Sequence, residues 1–263
     1  MDLGLNGKVA LVAASSRGLG KAIATTLGRE GARLCLCARD PDTLEATADR
    51  LCQDTGAEVC TISLDLADRE APRRFVEAAL EFAGGIDILV TNTGGPPMGT
   101  LAELSDEQWH RAGEQVLLSA ARLIREAVPH MERRGGGRIV NVTSIAVKEP
   151  IAGLLLSNAY RAAVVGMAKT LATELAPKNI LVNNVCPGRI ATDRILQLDA
   201  ARAERTGVSV DQIRAESLRR IPLGRYGQPS ELAALVAFLC STQASYLTGA
   251  TIQCDGGMFS GLM

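Results

Sequence analysis

Short apolar runs alternate with longer amphipathic stretches along the whole chain, and this rhythm is the strongest constraint on its fold. The runs at 9–13, 33–37, 58–62, 87–90, 138–142, 181–185 and 251–254 read as strands. The stretches at 19–30, 42–53, 69–82, 106–133, 157–176 and 229–240 read as helices. Strand–helix–strand alternation requires right-handed crossovers. The expected fold is therefore α/β: a doubly wound, seven-stranded parallel sheet with helices on both faces. Strands covered on both faces must be aliphatic throughout, and aromatic residues make up only 3% of the chain. No change of composition marks a linker, so residues 1–263 read as one domain. Residues 190–226 form a long, charged, mostly helical insertion between the sixth strand and the last helix. It falls at the carboxyl ends of the strands, where open sheets bind ligands, and is expected to be a substrate lid or else a decorated crossover.

Charge and cysteine content exclude several classes. Basic and acidic residues number 28 and 29, so no basic face is expected for nucleic acid. No apolar stretch approaches the roughly 18 residues that span a bilayer. The opening MDLGLNGK has neither a basic-then-apolar leader nor a cleavage pattern. The seven cysteines form no CxxC pair and no evident disulfide framework. Cys35 and Cys37 alternate along a strand and are expected to pack as small apolar residues. His110 and His130 lack supporting ligands, so no metal site is expected. These features together predict a reduced, cytoplasmic protein without membrane or nucleic-acid partners.

The first strand runs into Ala13-Ala14-Ser15-Ser16-Arg17-Gly18-Leu19-Gly20 and then directly into a helix. Such a turn gathers free N–H groups and the positive end of the helix dipole, which suits a dinucleotide phosphate. In this sequence context the chain resembles the short-chain dehydrogenase/reductase superfamily, especially its 3-oxoacyl-acyl-carrier-protein reductase-like members. The family's turn reads TGxxxGxG; Ala13 and Ala14 stand in place of its Thr and first Gly. Alanine restricts positive φ and adds a Cβ, so weaker cofactor binding is expected. The resemblance covers about residues 6–257. It implies cofactor contacts from Ala14, Ser16, Arg17, Gly18, Leu19 and Gly20, from Asp65 and Leu66 near adenine, and from Asn92 and Gly94 after the fourth strand. It implies further contacts from Pro187, Gly188 and Thr192 near the nicotinamide. Arg39, after the second strand, and Arg17 suit the 2′-phosphate of NADP, while the neighbouring Asp40 keeps NAD as the alternative.

The resemblance also implies an active site of Asn, Ser, Tyr and Lys, with the last two spaced YxxxK. Tyr160 is followed at the lysine spacing by Val164. Ser144 and Ser157 are 13 residues apart, and Arg161 and Pro187 are 26 apart. Those intervals match the family's Ser-to-Tyr and Lys-to-Pro-Gly distances, so Ser157 and Arg161 fall in the positions of Tyr and Lys. Val116 falls where Asn belongs, leaving only Ser144. Ser157 and Arg161 still share one helix face. A serine hydroxyl is a far weaker acid than a phenol, whose pKa of about 10 a nearby cation can lower. Loss of a positioned general acid forfeits about 10²–10⁴ in rate. The expected roles are carbonyl polarisation for Ser144 and ribose binding for Arg161. Tyr160 serves as the substitute donor only if its helix is turned, and otherwise packs at the pocket edge. Lys148 and Glu149 are candidate surrogate acids.

A serine hydrolase is excluded because both histidines fall on the fourth helix and no G-x-S-x-G elbow exists. Two readings remain: an NAD(P)-dependent oxidoreductase on a carbonyl or alcohol, including an acyl thioester, or a cofactor-binding relative without turnover. Residues 151–156, with Ile195 and Leu196, are candidates for an apolar substrate slot. Ala159, Ala162, Ala163, Gly166 and Ala168 permit close helix approach, and the resemblance implies a homodimer or homotetramer built on that helix.

Overall fold

In the computed structural model, which describes residues 1–262, seven strands form one sheet in the order β3-β2-β1-β4-β5-β6-β7. They are β1 (Val9–Val12), β2 (Arg33–Ala38), β3 (Val59–Ser63), β4 (Ile88–Thr91), β5 (Gly137–Val142), β6 (Ile180–Pro187) and β7 (Thr251–Cys254). All neighbours pair in parallel. The helices are α1 (Gly18–Arg29), α2 (Pro41–Thr55), α3 (Ala71–Ala83), α4 (Asp106–Gly113), α5 (Ser119–Arg133), α6 (Leu155–Leu175), α7 (Asp193–Thr206), α8 (Val210–Arg220) and α9 (Pro229–Cys240).

Period-two alternation divides the strands between two cores. Leu11, Cys35, Leu89 and Val182 face α3, α5 and α6, where they meet Phe75, Leu123 and Ala168. Ala10, Leu34, Val90 and Val140 face α1, α2 and α9, meeting Ile23, Leu44 and Val236. Cys35 and Cys37 are fully buried. The strand order reverses between β1 and β4, so their carboxyl ends open the crevice where doubly wound sheets bind ligands.

The stretch expected as one helix over 106–133 differs from that reading. A π-helical turn, Glu114–Leu118, separates α4 from α5. One extra residue in the turn lets Gln115 Nε2 donate to the Gly94 carbonyl across the crevice (2.9 Å). Such π-turns occur often at functional sites. The insertion at 190–226 holds α7 and α8. Among the described residues no helix is long and apolar enough to cross a membrane.

Candidate active site

Three chain reversals at the carboxyl ends of β1, β4 and β6 meet in the crevice. In the first, Ala14 and Gly18 both have left-handed backbone, with φ of +49° and +57°. Ala14 thus adopts the conformation that its Cβ disfavours, in the family's glycine position. Ser15 N–H donates to the Cys37 carbonyl (3.0 Å), and Thr47 Oγ1 donates to the Ser16 carbonyl (2.7 Å). These bonds pin the turn to β2 and α2. A Cβ on Gly20 would overlap the Ala14 carbonyl, so only glycine lets α1 start this close to the turn. The N-terminus of α1 carries no side-chain cap, which leaves its first N–H groups for a ligand.

From β4, Asn92 Nδ2 donates to the Ala14 carbonyl (3.3 Å). From β6, the loop through Pro187 and Gly188 returns over the turn. Gly188 is required because a Cβ there would lie 2.6 Å from the Asp255 side chain. Thr192, which precedes α7, puts its methyl 3.8 Å from where a Cβ on Gly18 would stand. Leu19 is half-buried beside the turn. Asn92 and Thr192 thus lie against the first turn.

Arg17 and Arg39 are exposed at the outer end of this crevice, and neither takes part in an ion pair among the described residues. Asp40 caps α2, accepting from Thr43 N–H (2.7 Å). That bond and the nearby Arg17 cation hold its carboxyl below the usual range. Asp65 accepts from Ala67 N–H (3.0 Å) and from Arg111 (2.5 Å), and Leu66 beside it is buried.

Ser144, Ser157 and Arg161 lie around the end of β5. Ser144 Oγ accepts from Ala146 N–H (3.1 Å), which fixes the hydroxyl at the start of a short 3-10 turn. Arg161 is only 8% exposed. Its Nη1 donates to the carbonyls of Val142 (3.0 Å) and Thr143 (3.2 Å), and its Nε donates to Ser157 Oγ (3.2 Å). Burial, with a smaller contribution from the Arg194 cation, pushes its pKa down to about 10. Arg161 lines a small cavity with Asn92, Val116, Ala120, Thr143 and Val164.

Tyr160 does not join this group. Its hydroxyl donates to the Trp109 carbonyl on α4 (2.9 Å), and its ring meets Trp109 edge-on, with centroids 5.8 Å apart. Of the two expectations for Tyr160, this placement matches packing at the pocket edge, with the phenol joining α6 to α4. Glu149 pairs with Arg220 (3.4 Å), on the surface. Lys148 is half-buried and forms no ion pair with it. The expected apolar slot is also differently used, since Leu156 is fully buried against Leu104 and Ala112. Leu196 remains exposed.

Two features escaped the sequence reading. A buried polar ladder crosses the sheet beneath the site: Thr91 Oγ1 donates to Asn141 Oδ1 (2.7 Å), Asn141 Nδ2 to Asn184 Oδ1 (3.0 Å), and Asn184 Nδ2 to Thr251 Oγ1 (3.1 Å). Asparagines inside two otherwise apolar runs were its only signal. Second, Arg194 reaches from α7 to the Pro96 carbonyl (3.2 Å), bridging the insertion to the β4 loop.

A doubly wound sheet with a glycine-rich first turn, and Ser144 just beyond β5, defines a dinucleotide-binding scaffold. A family profile described as Enoyl-(Acyl carrier protein) reductase matches residues 13–259. Dehydrogenase/reductase SDR family member 4 of Homo sapiens is 38% identical over 256 residues, 96% of this chain and 88% of that protein. The 3-oxoacyl-acyl-carrier-protein reductase FabG of Aquifex aeolicus is 34% identical over 98% of this chain and 100% of its own length. L-sorbose reductase from Gluconobacter frateurii, solved with NADPH and L-sorbose, superposes with a TM-score of 0.94 at 36% identity, covering all of both chains. The chain belongs to the short-chain dehydrogenase/reductase family.

Proposed function

We propose that the protein is an NADP-dependent reductase of a carbonyl compound, working with a rearranged set of catalytic residues. The observation that carries this reading is the uncapped N-terminus of α1, packed close to the turn at Gly20, with Arg17 and Arg39 exposed nearby and in no ion pair among the described residues. An anionic diphosphate suits the first feature and a 2′-phosphate the second. The engagement of Asp40 in capping α2 favours NADP over NAD, because that carboxylate is already used. Relatives support the same choice: the L-sorbose reductase structure contains NADPH, and YwfH, at 29% identity and a TM-score of 0.93, is described as NADPH-dependent.

When bound, the cofactor would supply a hydride to the substrate carbonyl carbon. Arg161, anchored on the carbonyls of Val142 and Thr143, presents a fixed cation for the ribose hydroxyls. Ser144, held by Ala146 N–H, directs its own O–H toward the carbonyl oxygen and polarises it. Ser157 accepts from Arg161 Nε, so its hydroxyl proton remains available for donation at that oxygen. Arginine cannot relay a proton by losing its own, so turnover is slow by the family's standard. The substrate is a small carbonyl or alcohol compound, with acyl thioesters included by likeness to FabG. The insertion at 190–226 acts as a lid, with Arg194 on Pro96 as its contact. The exposed small residues Ala159, Ala162, Ala163 and Gly166 on α6 support a homodimer or homotetramer; a monomer in light scattering would reject it.

The test is a fluorescence titration with NADPH and NADH, followed by NADPH oxidation in the presence of a 3-oxoacyl thioester and L-sorbose. Binding of NADPH in preference to NADH, with slow oxidation, is expected. Failure to bind either cofactor overturns the proposal. Binding without oxidation on any ketone of a broad panel favours the cofactor-binding relative without turnover, a reading supported by the spacing that puts Ser157 and Arg161 at the Tyr and Lys positions.

A further inference from the structure

Cys35 and Cys60 stand directly opposite each other on the parallel strands β2 and β3. Their sulfurs are 2.7 Å apart, well inside ordinary sulfur–sulfur contact. Neighbouring strands lie about 4.8 Å apart, within the roughly 4.4–6.8 Å between Cα atoms that a disulfide needs. Both side chains point to the α3 side of the sheet, so little backbone movement separates two thiols from a bond. The site is independent of the cofactor crevice.

We propose that Cys35 and Cys60 are a thiol pair that a small disulfide oxidant such as glutathione disulfide converts reversibly into a cross-strand disulfide. The two thiols are unequal, which sets the order of events. Cys35 is fully buried, whereas Cys60 is half-buried on β3, the outermost strand of the sheet. A hydrogen bond from Cys35 S–H favours the Cys60 thiolate and lowers its pKa, while the same bond and burial raise that of Cys35. The Cys60 thiolate attacks one sulfur of glutathione disulfide; that S–S bond breaks and one glutathione thiolate leaves. Cys35 sulfur then attacks the Cys60 sulfur of the mixed disulfide. Its proton passes to solvent, and the second glutathione thiolate departs. Two protein thiols are oxidised and one glutathione disulfide is reduced to two glutathiones. Cys52, exposed on α2 with no sulfur neighbour, has no such second step.

The experiment incubates the native full chain with glutathione disulfide, quenches with acid, unfolds and alkylates it, and maps the peptides by mass spectrometry. The expected result is a Cys35–Cys60 cross-linked peptide lighter by two hydrogens, loss of alkylation at both positions, and full recovery after dithiothreitol. Cys52 serves as the internal standard and carries glutathione. Cys35→Ser is expected to leave glutathione stranded on Cys60, and Cys60→Ser to leave Cys35 unmodified. Complete alkylation of both cysteines in the wild-type chain while Cys52 is modified overturns the proposal. So does stable glutathione on Cys60 in the wild-type chain without a cross-link.

Discussion

Arg161 donates from Nε to the Ser157 hydroxyl one helical turn earlier on α6, at 3.2 Å, while Nη1 is taken up by two carbonyls at the end of β5. The guanidinium is thus held by neutral hydrogen-bond partners, and among the described residues no carboxylate pairs with it. A buried cation without a counter-ion is costly to the folded chain. Its depressed pKa is the measure of that cost.

Replacing Arg161 with Met is therefore expected to change the stability of the unliganded protein little at neutral pH and to weaken its cofactor binding. A pKa lowered from 12.5 to about 10 corresponds to about 3 kcal/mol. The loss of the three bonds to Val142, Thr143 and Ser157 offsets that relief at about 1 kcal/mol each. The pH dependence has a definite sign. Between pH 10 and 12.5 the unfolded wild-type chain binds more protons than the folded one, so its stability rises with pH there. In thermal melts wild type should therefore gain stability relative to Arg161→Met as pH rises from 10 toward 12.5. An unchanged difference across that range would show that the guanidinium charge is already compensated.

Tyr160→Phe isolates the phenol. Removing the hydroxyl bonded to the Trp109 carbonyl should cost about 0.5–1.5 kcal/mol of stability, the value of one ordinary hydrogen bond. The catalytic constant should be unchanged, because that hydroxyl is committed to α4. A drop of an order of magnitude in kcat with normal NADPH binding would return Tyr160 to the role of proton donor.

The parallel sheet and the glycine turn were legible because each rests on local signals: period-two alternation, aliphatic runs, and glycines where a strand meets a helix. Gly20 is a good example, since its need arises within a few residues of Ala14. The π-turn at Glu114–Leu118 was not legible. One extra residue in a helix leaves the apolar stripe almost intact, and the benefit, Gln115 reaching Gly94, depends on a loop 21 residues away. The Thr91–Asn141–Asn184–Thr251 ladder was hidden for the same reason: its bonds run across four strands, and their order is a property of the sheet. The orientation of Tyr160 depended on Trp109, 51 residues earlier, and on Gly113, whose missing side chain leaves room for the ring.

Arg17 and Arg39 should set cofactor preference. Each is exposed and free to bond a 2′-phosphate, and a charge-assisted bond contributes about 1.5–3 kcal/mol. Arg17→Ala and Arg39→Ala should each reduce the ratio of NADPH to NADH affinity by about ten- to a hundredfold, leaving NADH affinity nearly constant. Asp40→Ala is the contrasting variant. It removes the cap on α2, costing about 1 kcal/mol of stability, and should not turn the preference toward NADH. Direct titration of both cofactors against the three variants measures these ratios.

The last prediction restores the family's chemistry at the positions where spacing places it. Ser157 and Arg161 share one helix face, and Val116 borders the same cavity as Arg161. A tyrosine at 157 brings a phenol, and a lysine at 161 brings a compact ammonium that lowers the phenol's pKa. An asparagine at 116 gives that ammonium a polar neighbour in place of a methyl group. Ser157→Tyr with Arg161→Lys, and then with Val116→Asn, should raise kcat for a 3-oxoacyl thioester by about 10²-fold or more, the range attributed to a positioned general acid. The single Ser157→Tyr change should gain less, because Arg161 is anchored by β5 carbonyls and cannot approach the new phenol. Equal rates for all of these variants, with NADPH binding intact, would mean that the reacting carbonyl binds elsewhere in the crevice.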